Sequence, residues 1–412
     1  MEENSAKINY SNISFSTSNG QKELNNLIES KKKKNERETI QVGDNIVKKE
    51  RNPGIEILRI IAMYDIIIHH IIMFGQLLSK YENYKVLQFM NTLCYFHICV
   101  FGLISGIVGI KTHKYSNLFY LWFCVFLYSV SIHLIYKQYK PFLVQNHKTY
   151  EFFFPVVFNK YWYFTSYFGM YLFLPIINKG ISYLNQLELK IIVLNIISIF
   201  IIWKDFLFIY GDPFKLASGY SVIGLLVFYI TGAYMGKYNI IKKTRKLLHL
   251  IYLIIFICIT YLCYYLSVYN GKKKNSIIII KLKEIFNIRI NSIAMVIQGV
   301  SLTLIFSRIE YNKFLSKIVR FLGPLTFGNY LIHSHEDFFI FEFRSIFLKY
   351  PMNTPLRTIL FLIFIKGFEI SVVCFIIDYL RNLVFKLLKI RKLCILLEKG
   401  IKYVLNETNY IF

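Results

Sequence analysis

Apolar residues in this chain come in blocks of bilayer length, separated by short polar and mostly basic stretches, rather than at the spacing of a surface helix. The blocks lie near residues 55–75, 89–110, 116–136, 161–179, 188–204, 221–238, 247–268, 291–307, 319–341 and 357–388. The pattern predicts an all-α integral membrane protein of about ten transmembrane helices. No loop between blocks exceeds roughly 25 residues, so no separate soluble domain is expected.

An even number of spans puts both termini on one side. The lysines before the first block and "KLLKIRK" after the last mark that side as cytoplasmic. "KYNIIKKTRK" (237–246) and "RIEYNKFLSKIVR" (308–320) fall inside in the same count. The loop over 271–289 carries six basic residues yet falls outside.

Residues 1–54 read as a disordered basic cytoplasmic tail, 55–390 as the membrane domain and 391–412 as a cytoplasmic C-terminal tail. The N-terminal tail holds no apolar stretch of its own. It is therefore not expected to be a cleavable signal, and the first block serves as the insertion signal.

Composition sharpens this picture without changing it, since 55% of the 412 residues are hydrophobic and 18% aromatic. A formal charge of +25 would suit a nucleic-acid partner, but the basic residues cluster beside apolar blocks. The positive-inside rule and anionic lipid account for them, so no nucleic-acid partner is expected. The seven cysteines sit in or beside apolar segments without metal-ligand spacing and read as packing residues.

The first block is the exception to apolar monotony, with Arg59, Asp65, His69 and His70 in "EILRIIAMYDIIIHHIIMFG" (56–75). An ionisable residue at a helix centre costs about 2.5–3.5 kcal/mol on insertion scales. An offset of 11 residues returns a helical side chain to within about 20° of its starting direction, so Arg59 and His70 share a face. They stand roughly 16 Å apart along the axis, while His69 points about 100° away.

Arg59 near the cytoplasmic surface could snorkel to lipid phosphate, or could hold an anionic group of a ligand whose reactive end reaches His70. His70 would then act as base, or as a transient acyl carrier. An extended pantetheine arm has about that length, which makes an acyl-coenzyme A a natural candidate.

Arginine, ten residues, then histidine in the first membrane helix resembles the signature of the integral-membrane acyltransferase 3 family. Three further stretches follow in the family's order: "FHICVFGLISGIVGIK" (96–111), "KYWYFTSYFGMYLFLPIIN" (160–178) and "GPLTFGNYLIHSHE" (323–336). The resemblance covers about residues 54–390 and implies transfer of acetyl or another short acyl group from cytoplasmic coenzyme A thioesters to carbohydrate across the membrane. It implies His70 and Arg59 as catalytic residues and His333 as a substrate contact or a neighbour tuning His70. Where many members carry an arginine-rich stretch before the third helix, this chain has "KTHKYSN" (111–117), leaving Lys111 and Lys114 beside Arg59 as donor-phosphate ligands.

Ser105 could turn a hydroxyl to the acyl path, or form a packing notch with Gly102 and Gly106. Trp162 and Tyr163 could stack on a sugar ring, or belong to an interfacial aromatic belt. Glu336 and Asp337 read as a solvated edge, or one of them could orient an imidazole; Lys366 and Glu369 read as an ion pair, and His97 and His133 as packing residues. No metal site is expected, because histidines and acids do not fall at ligand spacing on one helix face. No bound cofactor is expected either.

The reading is a membrane O-acyltransferase with acyl-coenzyme A as donor, a carbohydrate or glycolipid as acceptor and the bilayer as its setting. Two alternatives stay open. One is a proton-coupled transporter relaying through Asp65, His70 and His333, and the other is a catalytically inactive family member.

Overall fold

Asn52 starts the first helix by accepting hydrogen bonds from the Gly54 and Ile55 amides, with Pro53 at the first position, where its missing N–H leaves no donor unsatisfied. The same side chain donates to the Ser307 carbonyl at 2.9 Å and so anchors the helix to its neighbour. This helix, α1 (Pro53–Phe74), begins the fold. The computed structural model describes residues 51–81, 85–109, 114–203, 214, 216, 219–269 and 292–408. The expected tail up to residue 50, Lys111 and the basic loop 271–289 lie outside the described residues.

From Arg51 onward the described chain is one all-α unit, without strands among its described residues. After α1 come α2 (Lys85–Gly109), α3 (Tyr115–Tyr139), α4 (Trp162–Tyr183) and α5 (Gln186–Trp203). They are followed by α6 (Val222–Lys237), α7 (Lys246–Tyr269), α8 (Ile293–Phe306), α9 (Thr326–His333), α10 (Leu356–Leu387) and α11 (Ile390–Thr408). Five of these, α1, α2, α3, α5 and α10, are long and apolar enough to cross a membrane. Shorter apolar helices run over Val222–Lys237, Lys246–Leu262 and Ile293–Phe306.

α1 lies centrally, packed against α2, α8, α9 and α10. α10 turns Phe361, Phe364, Phe368 and Ile376 outward, the face expected against lipid. Lys366 and Glu369 pair there at 2.6 Å, both substantially exposed.

The most extensive helix contact among the described residues joins α2 and α6. A Cβ on Gly106 would lie 2.0 Å from the Tyr229 carbonyl oxygen, and one on Gly232 would lie 2.1 Å from that of Leu103. Small residues on both helices thus let the backbones touch, and Gly106 forms a packing notch.

Three expectations need correction. The continuous helix over 319–341 is broken: Lys313–Leu322 passes through a 3-10 turn at Gly323–Leu325 before α9, and Ser334 and His335 interrupt the chain again. Pro324 cannot donate to the helix ladder, and His335 takes an extended conformation that caps the next turn. Residues 391–408, expected as a tail, form the amphipathic α11, docked on α3 through buried Cys394 and a 3.0 Å bond from the Ser116 amide to Glu398. Asp337 is fully buried rather than a solvated edge.

Candidate active site

α1, α2 and α4 and the segment around α9 enclose a cavity of about 670 Å³, within the range of small-molecule sites. Arg59 lines it toward one end and His70 and Phe74 toward the other, so one wall carries both residues of the predicted stripe. α2 adds His97, Phe101 and Ser105, and α4 adds Trp162, Tyr163 and Tyr167. Beyond His70, the far rim is formed by Lys160, Ser334, Glu336 and Phe339. A smaller cavity of about 170 Å³ shares Arg59, Ser105, Leu121 and Tyr167 with the first and extends to Asn117, Tyr171 and Tyr229. Arg59 therefore stands where the two meet.

Arg59 is held loosely, its guanidinium 3.5 Å from Glu56 one helical turn earlier. The second Glu56 oxygen is buried without a hydrogen-bond partner. Five guanidinium N–H groups leave donors over for an anion.

His70 has a buried Nδ1 with no hydrogen-bond partner. Its ring lies 5.3 Å from those of Phe74 and His333, measured between centroids. His333 lies behind it, fully buried and outside the cavity lining. The His333 Nδ1–H donates to the Asn329 carbonyl at 2.7 Å, which leaves Nε2 facing the Ser334 hydroxyl at 3.2 Å. Ser334 itself lines the cavity, so His333 can act on a ligand only through His70 or Ser334.

His69 turns away, with Nδ1 2.9 Å from the Asn91 side-chain oxygen and its ring edge-on to Tyr95. Asp65 also leaves the site, accepting from the Cys94 thiol at 3.2 Å.

Trp162 lines the cavity, its ring steeply inclined to that of Tyr220 at 4.4 Å. Ser105 lines it too, and its hydroxyl donates to the Phe101 carbonyl at 2.8 Å, which turns lone pairs rather than the proton outward. Lys114 lines neither cavity. Its carbonyl accepts from the hydroxyl of Tyr171, which lines the smaller one.

Sequence reasoning missed three parts of this wall. His97 was expected to be a packing residue, yet it lines the cavity. Tyr163, expected only as a stacking or belt residue beside Trp162, continues into a ladder with Tyr167 and Tyr171 at four-residue spacing, with successive ring centroids 6.4 and 5.9 Å apart, a periodicity visible in the sequence. Lys160 bridges Glu151 at 2.6 Å and Glu336 at 3.0 Å across the rim. Partial burial works to lower the Lys160 pKa, but the two carboxylates outweigh it and hold it above the usual lysine value.

A family model described as an acyltransferase domain, that of the acyltransferase 3 family, matches residues 52–376. No curated protein and no solved structure matches the chain.

Proposed function

This chain belongs to the acyltransferase 3 family, and we propose that it moves a short acyl group, acetyl being the simplest, from cytoplasmic acyl-coenzyme A to a hydroxyl of an extracytoplasmic carbohydrate. The observation that carries this reading is one continuous cavity with Arg59 toward one end and His70 toward the other. Both termini would be cytoplasmic, with the donor entering past Tyr171 and Arg59 and the acceptor arriving at the rim of Lys160 and Glu336.

Arg59 would grip a donor phosphate bidentately while the pantetheine arm runs along the tyrosine ladder toward His70. The acceptor hydroxyl attacks the thioester carbonyl as His70 removes its proton. The tetrahedral intermediate collapses with cleavage of the carbon–sulfur bond, and the proton passes to the departing thiolate, giving an ester and free coenzyme A. Trp162 offers a flat apolar face for the C–H face of a sugar ring.

The transporter relay needs Asp65 near His70 and His333, whereas Asp65 bonds Cys94 away from the cavity lining. Membranes containing the protein should transfer label from acetyl-coenzyme A to polysaccharide or glycolipid, and His70→Ala membranes should not. Label that appears nowhere above the level of membranes lacking the protein would overturn the reading.

A further inference from the structure

We propose that His133, His147 and Asp337 form a divalent-cation site, suited to zinc, that pins the far rim of the cavity. The three come from separate segments: α3, the turn after Pro141–Val144, and the short helix Glu336–Phe338 that follows the helix interruption at Ser334 and His335. Their ligand atoms all lie within 4.8 Å of one another. The spacing test applied to the sequence was blind to this arrangement, because it searched one helix face at a time.

The hydrogen-bonding state of the rings supports the site. His147 places Nδ1 2.5 Å from one Asp337 oxygen and Nε2 3.5 Å from Glu336 Oε1. A neutral imidazole has one N–H, so one of those nitrogens must turn a lone pair toward a carboxylate. His133 places Nδ1 2.9 Å from the other Asp337 oxygen and Nε2 3.2 Å from the Thr149 hydroxyl, which can donate to that nitrogen or accept from it. A cation between Nδ1 and carboxylate removes the repulsion at His147 and leaves His133 free to coordinate through the nitrogen that faces Asp337. Glu336 and Thr149 then take the outer N–H groups, the partners that metal-bound histidines ordinarily have.

Charge favours the same answer. With neutral rings, the Asp337 carboxylate has no permanent cation paired to it among the described residues, since Lys160 pairs with Glu151 and Glu336 and Lys137 bonds the Thr149 hydroxyl, and a dication answers its charge. Two imidazoles and a carboxylate form a donor set that zinc accepts, with a fourth position open to water. His335 is not a ligand: its Nε2–H donates to the Ser129 carbonyl and its Nδ1 accepts from the Asp337 amide. It fixes the Asp337 backbone instead. Phe152 stacks on His133 at 4.0 Å and on His335 at 5.3 Å, orienting both rings. His147 is 19% exposed and gives a cation its way in.

The rival is a buried carboxylate clasped by hydrogen bonds from the two imidazoles, with no metal. The full chain, purified in detergent without chelator and then exposed to zinc and desalted, separates the two. The metal site predicts about one zinc per chain by elemental mass spectrometry. It also predicts a Tm that falls by several degrees in EDTA and returns with zinc. His147→Ala, at the accessible edge, should fold, lose the zinc and respond to neither reagent. Cys258→Ser, which removes an exposed thiol, should keep both properties. Zinc far below one per chain with a Tm indifferent to EDTA, or zinc retained by His147→Ala, would overturn the proposal.

Discussion

His69 and His70 are neighbours with opposite fates: His69 bonds the Asn91 side chain at 2.9 Å, while His70 lines the cavity shared with Arg59. Helical geometry imposes this, since adjacent residues diverge by about 100°. The expected outcome is that His70→Ala abolishes acyl transfer and His69→Ala keeps a substantial part of it. Transfer rates in membranes with matched protein levels check this. Equal loss in both variants would mean that the shared face has no catalytic meaning.

The contact between α2 and α6 makes a separate prediction about stability. Gly232 has the Leu103 carbonyl 2.1 Å from any added Cβ, whereas Gly180 meets nothing within 4 Å. Gly232→Val should lower stability by about 1–3 kcal/mol or more, since backbone rather than a flexible side chain must move. Gly180→Ala should be neutral or slightly stabilising, by up to about 1 kcal/mol, because alanine favours the helix. Thermal unfolding of the two purified variants compares them directly.

Acid should loosen α11 through Glu398. Burial works to raise its carboxyl, but the bonds from Ser116 and Lys402 outweigh that and hold it at about 2, below its usual 4.5. A depressed carboxyl pKa stabilises the docked helix fully above the unfolded value. That contribution is lost as pH falls from about 4.5 through about 2. Limited proteolysis of α11 across this window should show increasing cleavage in the wild type, whereas Glu398→Gln should be cleaved more readily at neutral pH and vary less with acid.

Much of this architecture was legible because bilayer-length apolar blocks leave few alternatives, and each of the ten blocks contains helix. The interruption at Ser334 and His335 was not legible, since hydropathy averages over a break whose cause is local backbone conformation. The Arg59 and His70 stripe followed from periodicity on a single helix. His97, the Lys160 bridge and the burial of Asp337 depend on which helices meet, and no spacing within one segment encodes that. α10 shows the same limit. Lys366 and Glu369 form an exposed pair, whereas the buried pair is Asp378 with Arg381, joined at 2.6 Å and bonded to Tyr128.

The central claim is that Arg59 and His70 serve opposite ends of one extended donor, roughly 16 Å apart along α1. Arg59→Lys keeps the charge but loses the planar fork, so its main defect should be in donor affinity. His70→Ala should bind donor nearly as wild type and fail in turnover. The decisive measurement is acetyl-coenzyme A binding to both purified variants, alongside transfer rates at saturating donor. The account predicts weakened binding with recoverable turnover for Arg59→Lys, and intact binding with lost turnover for His70→Ala. An Arg59→Lys variant that binds donor like wild type yet loses turnover would contradict it.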